Sequence, residues 1–204
     1  MNLPDLAQTL LPLWQSLRAT SPAEIVAVVT GLAYVLLTVR RNRWCWVAGG
    51  ISSLILAVLA AQSRLPMQSG LQAWYVVMSV YGWLQWSQPA AGRIVMWSAG
   101  RHLAGVIASL AVAALVARWL ATETQAAWPV LDAATTTLSL FATWQVARMV
   151  RENWLYWIVI DAVSLVLYAA QGLALTAVLF AIYLVVAVAG YIAWRRQWHQ
   201  QTST

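Results

Sequence analysis

Apolar runs long enough to cross a lipid bilayer recur from one end of this chain to the other, and no other feature limits its fold as strongly. A helical crossing takes about 20 mostly apolar residues. Runs of that kind are expected at roughly 22–39, 44–62, 70–87, 103–121, 129–147, 154–171 and 174–194. Hydrophobic residues make up 62% of the chain and charged residues 9%. The connections are too short to hold a soluble domain. The fold expected is therefore an all-α polytopic membrane protein with seven transmembrane helices, because in lipid only a helix or a closed barrel satisfies its own backbone. Whatever the protein does happens within or across the bilayer, with the lipid itself as a partner.

The basic residues exclude several functions. All twelve are Arg, and Lys is absent. A Walker-type phosphate loop needs its Lys, as does a pyridoxal or retinal Schiff base. ATP-driven pumping by this chain alone and a rhodopsin-like photoreceptor are thereby excluded. A net charge of +6 in a soluble protein would suggest nucleic acid, but here the Arg residues cluster at span ends and no nucleic-acid partner is expected. With the N-terminus outside, Arg40, Arg41, Arg43, Arg93, Arg101, Arg148, Arg151, Arg195 and Arg196 lie inside, and only Arg18, Arg64 and Arg118 lie outside. That asymmetry predicts an N-out, C-in orientation.

The first ten residues carry Asp5 and no positive charge, unlike a secretory signal. Leu3, Leu6, Leu10, Leu13 and Leu17 recur at helical spacing in residues 1–20, which reads as a segment lying on the outer interface. Ser21-Pro22-Ala23-Glu24 is a capping box with Pro at the first helical position. Cys45 is the one cysteine and reads as a buried thiol. His102 and His199 have no companions at ligand spacing, so no metal and no cofactor are expected.

Two stretches resemble each other about 109 residues apart. Ala60-Ala61-Gln62 recurs as Ala169-Ala170-Gln171, and Gly82-xxx-Trp86 recurs as Gly190-xxx-Trp194. This suggests a three-helix repeat at 21–87, a loop and linker helix at 88–128, a second repeat at 129–196 and a cytoplasmic tail at 197–204. Three helices per unit plus one linker give both units the same orientation, and transporters built in this way hold substrate near the midplane between the halves. A 109-residue offset pairs Asp161 with Ser52.

Asp161 is the residue that most needs an explanation, because it carries a carboxylate into lipid depth. Trp154, Trp157, Asp161, Ser164 and Tyr168 follow at spacings of three and four, so they share one helix face. Ionisable groups within a membrane usually face a cavity, a substrate path or a partner. This face is aromatic, anionic and hydroxylated, which suits a flat organic cation. Asp132, Thr136, Ser139 and Thr143 form a second polar stripe, although Ser and Thr in membrane helices often bond only to their own backbone. Asp132, in the first turn after Pro129, suits a helix-start or gating role. Gln72 offers an amide to hydroxyls or carboxamides. Glu152 and Asn153 look like capping residues. Trp14, Trp44, Trp46, Trp86, Trp97, Trp119, Trp128, Trp194 and Trp198 fall near predicted interfaces and read as belt residues.

Glu152-Asn153-Trp154-Leu155-x-Trp157-x-x-x-Asp161, followed by Leu167-Tyr168-x-x-Gln171-Gly172, resembles the signature of the bacterial nicotinamide riboside transporter (PnuC) family. Leu71-Gln72, Tyr81-Gly82-Trp83 and Asp132 with its Thr-rich stripe also match, and the resemblance covers roughly residues 22–196. It implies a 3-1-3, SWEET-like helix arrangement in the bacterial inner membrane. It also implies facilitated diffusion of a vitamin-like nucleoside, trapped afterwards by cytoplasmic phosphorylation. Carried over by motif, Trp154, Trp157, Gln72 and Asp161 would line the site. Family members carry Asn or Asp at the position of Asp161, so thiamine or riboflavin stands beside nicotinamide riboside as a substrate. No nucleophile with its base is seen, so an enzyme is not expected. A homo-oligomer is compatible with the sequence, and so is a proton-coupled variant.

Overall fold

The computed structural model of the chain describes residues 21–63, 66–88, 92–123 and 128–203. The expected interfacial segment 1–20, with Trp14 and Arg18, and the loop residue Arg64 lie outside the described residues. Seven helices are present among them: α1 (Pro22–Val39), α2 (Trp44–Gln62), α3 (Pro66–Trp86), α4 (Ala99–Glu123), α5 (Pro129–Ala147), α6 (Asn153–Ala170) and α7 (Ala174–Thr202). The expected spans and the helices agree closely for α1, α2, α5 and α6. By contrast, α3 begins four residues earlier and α4 extends from 99 to 123. Helix α7 runs on through 202, past the apolar stretch, because its last turns have a protein surface to pack on. Trp198 lies under the Arg151 guanidinium, 5.0 Å from its ring centroid, and the Gln201 side chain bonds the Gly92 carbonyl and the Ile94 amide.

The helix starts and stops have local causes. Ser21 Oγ accepts from the Glu24 amide and the Glu24 carboxylate accepts from the Ser21 amide, completing the capping box ahead of Pro22. Helices α1 and α5 end alike, with Arg41 and Met149 in the left-handed region at φ 54 and 52. Five of the seven helices are apolar enough to cross a membrane on hydropathy alone. The exceptions are α3 and α5, which carry Gln72 and Ser79 in one case and Asp132, Thr137, Ser139 and Thr143 in the other. These two polar helices pack against each other, so their hydroxyls and amides face protein and not lipid.

The packing is a ring of six helices with one outside. Helix α2 packs on α1 and α3, α6 packs on α5 and α7, and the two triples meet at an α3/α5 seam and an α1/α7 seam. Exchanging the triples turns each seam into the other. Helix α4 leans on α5, where Gly105 lets the Phe141 ring in so closely that a Cβ there would lie 2.0 Å from it.

The pseudo-symmetry extends to individual side chains at the Arg-rich end. Trp46 packs edge-on against Trp86 (5.5 Å, 86°), and Trp154 packs edge-on against Trp194 (5.6 Å, 88°). Gly82 lies under the Trp46 ring and Gly190 under the Trp154 ring, where a Cβ would come within 2.2 and 2.7 Å. Trp86 Nε1 donates to the Ala147 carbonyl (3.1 Å) and Trp194 Nε1 to the Val39 carbonyl (3.2 Å), so each triple's closing indole ties down the first helix of the other. Every one of these pairs is 108 apart (154 − 46, 190 − 82, 194 − 86, 147 − 39). The offset at the site is therefore 108 and not 109, and Asp161 corresponds to Ser53, not Ser52. The Ala-Ala-Gln match is a one-residue slip within low-complexity helix; the indoles fix the register.

That geometry also corrects the reading of the tryptophans. Trp46, Trp86 and Trp194 are interior packing residues, with Trp46 2% and Trp194 0% exposed, and are not a lipid-facing belt. Trp44, Trp119 and Trp128 are exposed, as belt residues should be.

Candidate functional site

The turn 149–152 aims α6. Val95 pairs with it in a short parallel bridge, its amide donating to Met149 O and its carbonyl accepting from the Arg151 amide. Glu152 was expected to cap α6 and does not. Its carboxylate pairs instead with Arg151 (2.8 Å) and approaches His102 Nε2 (3.7 Å), whose Nδ1 meets the Tyr156 hydroxyl at 2.9 Å. The Asn153 amide nitrogen donates to Val150 O, back into the turn. Linker helix α4 is thereby fastened to the start of α6 through His102.

The α6 face picked out by the sequence is real but does not form one small site. Trp154 to Tyr168 is fourteen residues, about 21 Å of helix, longer than a single nucleoside. Three zones result. At the Arg-rich end Trp154 is buried against Trp194 and Gly190, and its indole N–H has no hydrogen-bond partner among the described residues. Trp157 is half-buried on the edge of that aromatic cluster, one turn nearer the centre.

Asp161 occupies the middle zone. It is 4% exposed, and its carboxylate makes no hydrogen bond or ion pair with any described residue. Tyr75 of α3 and Tyr183 of α7 lie within electrostatic reach of it. The Tyr75 hydroxyl is turned to the hydroxyls of Ser139 and Thr143 on α5. A Cβ on Gly31 of α1 would lie 3.2 Å from the Tyr183 hydroxyl and 3.1 Å from Ser52 Oγ of α2. Gln72 is buried one turn before Tyr75, on the same face of α3. All six ring helices thus send a residue toward one polar centre.

In the third zone, at the opposite end, Tyr168 stacks on Phe180 of α7 (5.2 Å, 12°) and lies within electrostatic reach of Asp132. Thr136 stands half-buried one turn after Asp132. The hydroxyls of Thr135, Thr137, Ser139 and Thr143 donate to carbonyls of their own helix, as such residues commonly do in membranes. Asp132, Thr136 and Tyr168 therefore lie toward the end opposite Trp154, with Asp161 and Gln72 between the two ends.

Sequence reasoning missed Tyr75, Tyr183 and Gly31, and reached Ser52 only through the repeat offset. One signal was present: 183 − 75 is again 108, the spacing of the paired glycines and tryptophans. A family model described as nicotinamide mononucleotide transporter matches residues 21–196. The chain belongs to that family. Among its relatives are the riboflavin/roseoflavin transporter RibM of Streptomyces davaonensis, 26% identical over 79% of this chain and 78% of that protein, and the nicotinamide riboside transporter PnuC of Escherichia coli, 24% identical over 84% of each. The crystal structure of the vitamin B3 transporter PnuC superposes with a TM-score of 0.74, covering 93% of this chain and 87% of that one at 22% identity. The family and its fold make this chain a multi-pass membrane transporter and not an enzyme.

Proposed function

We propose that the protein is a uniporter for a cationic vitamin riboside, nicotinamide riboside in the first place, working in a bacterial inner membrane with its N-terminus outside and its C-terminus inside. The observation that carries this reading is the Asp161 carboxylate, buried without a hydrogen-bond or ion-pair partner among the described residues where six helices converge. A buried, unpaired carboxylate is costly. A pyridinium ring lying beside it supplies the missing charge, and the half-buried Trp157 one turn away offers a cation-π surface. The triples 21–87 and 129–196 would act as parallel repeats that move against each other at the two seams. No Walker-type Lys exists to couple ATP, so net uptake depends on phosphorylation of the riboside after entry.

The family model is described by the mononucleotide, yet a dianionic phosphate would meet Asp161 with no Arg at that depth to neutralise it. The riboside fits better. Riboflavin is the second reading, favoured by the 26% identity to RibM. Its neutral ring would leave Asp161 unpaired, which places it behind. The test is uptake into liposomes holding the purified protein and no kinase. Labelled nicotinamide riboside is expected to equilibrate without ATP or an ion gradient, and with the same rate whether or not a pH gradient is imposed. Nicotinamide mononucleotide should not compete. Accumulation above the outside concentration, or uptake of riboflavin and thiamine but not the riboside, would overturn the assignment.

A further inference from the structure

Tyr75 and Tyr183 are equivalent under the 108-residue offset, and so are the positions they face, Gly31 and Ser139 (139 − 31 = 108). Each tyrosine crosses a seam from the third helix of one triple to the first helix of the other. At the α3/α5 seam the opposing residue is Ser139, whose Oγ donates to Thr135 O and keeps its lone pairs for the Tyr75 hydroxyl. At the α7/α1 seam the opposing residue is Gly31, which has no side chain to offer. The nearby Ser52 Oγ donates to the Ala27 carbonyl at 2.7 Å. The Tyr183 hydroxyl makes no hydrogen bond with a described residue, although Tyr183 is only half-exposed and stands beside Asp161. One of two equivalent hydroxyls is satisfied by protein and the other is left open at the site.

We infer that the Tyr183 hydroxyl, packed against Gly31 at the α1/α7 seam, receives a hydroxyl of the substrate's sugar, orienting the ligand toward that seam while its charged ring rests by Asp161. This rests on the riboside reading given above. A polar site open to a ligand hydroxyl penalises an analogue that lacks it, because the protein's own polar group is then left unpaired. Seating the sugar there also explains why the α7/α1 seam has Gly where its partner seam has Ser: a hydroxyl at position 31 would occupy Tyr183 as Ser139 occupies Tyr75.

The experiment measures dissociation constants of nicotinamide riboside and its 2′-, 3′- and 5′-deoxy analogues for the wild type, Tyr183→Phe and Gly31→Ser, with melting curves to show that each variant folds. The wild type is expected to bind the riboside about tenfold more tightly than at least one deoxy analogue, the size of one net hydrogen bond at the upper end of its range. Tyr183→Phe should weaken the riboside by about the same factor and leave that analogue within twofold of its wild-type value. Gly31→Ser should do likewise, by engaging Tyr183 within the protein. Equal weakening of all four ligands by both variants, or no weakening of any, overturns the subsite. A wild type that binds none of the ribosides refutes the substrate reading itself, and the subsite falls with it.

Discussion

Replacing Gly190 by alanine would place a methyl carbon 2.7 Å from the Trp154 ring. Ordinary van der Waals contact begins near 3.4 Å, so the ring or α7 must yield by 0.7 Å (3.4 − 2.7). Trp154 has nowhere to go, being buried and held edge-on against Trp194, whose own indole is tied to the Val39 carbonyl. Overpacking of this kind costs about 1–3 kcal/mol, and for a chain of this size each kcal/mol lowers the melting temperature by about 2–4 °C. Gly82→Ala should cost more, because its Cβ would lie 2.2 Å from Trp46 and require 1.2 Å of relief (3.4 − 2.2). Thermal unfolding in detergent should rank wild type above Gly190→Ala and Gly190→Ala above Gly82→Ala. In the Gly190 variant riboside affinity should also fall, since displacing Trp154 shifts the helix that carries Trp157 and Asp161. Two variants as stable as the wild type would refute the claim that these indole-on-glycine contacts lock the second and third helices of each triple together.

Other perturbations reach the site directly. Trp157→Ala is expected to weaken binding of the cationic riboside by about 1–2 kcal/mol, the range of a desolvated cation-π contact, while Trp157→Phe retains part of the affinity; titration calorimetry reads both. Asp132, toward the end opposite Trp154 with Tyr168, is expected to govern entry more than equilibrium binding, so Asp132→Asn should slow liposome uptake and leave the dissociation constant within about twofold, a difference under 0.5 kcal/mol.

Much of this was legible in the chain because it is encoded locally. Apolar length gave the seven helices, the Ser21–Glu24 pattern gave the start of α1, and the three-four spacing from Trp154 to Tyr168 gave one face of α6. Depth along that face was not legible, since periodicity assigns residues to a side of a helix but not to a zone with common neighbours. Trp46, Trp86 and Trp194 sit at helix ends in sequence, where belt residues also sit; only the tertiary arrangement, with Gly82 and Gly190 beneath rings, distinguishes interior packing from lipid contact. Glu152 looked like a cap because a carboxylate at a helix start usually is one, whereas Arg151 and His102, the latter fifty residues away, compete for it. Tyr75 and Tyr183 read as ordinary aromatic residues of apolar helices, and become site residues because two seams, invisible in a linear pattern, bring them to Asp161.

The central claim is that the buried carboxylate of Asp161 recognises a positively charged ring. It is tested most directly by measuring the affinities of nicotinamide riboside and its neutral reduced form for the wild type and for Asp161→Asn, each at two pH values. Asparagine keeps the shape and the hydrogen-bonding capacity and removes the charge. The account predicts a marked loss for the cation and a small change for the neutral analogue. Equal losses for both ligands, or a silent substitution worth no more than the roughly 1 kcal/mol of a polar contact between membrane helices, would contradict it.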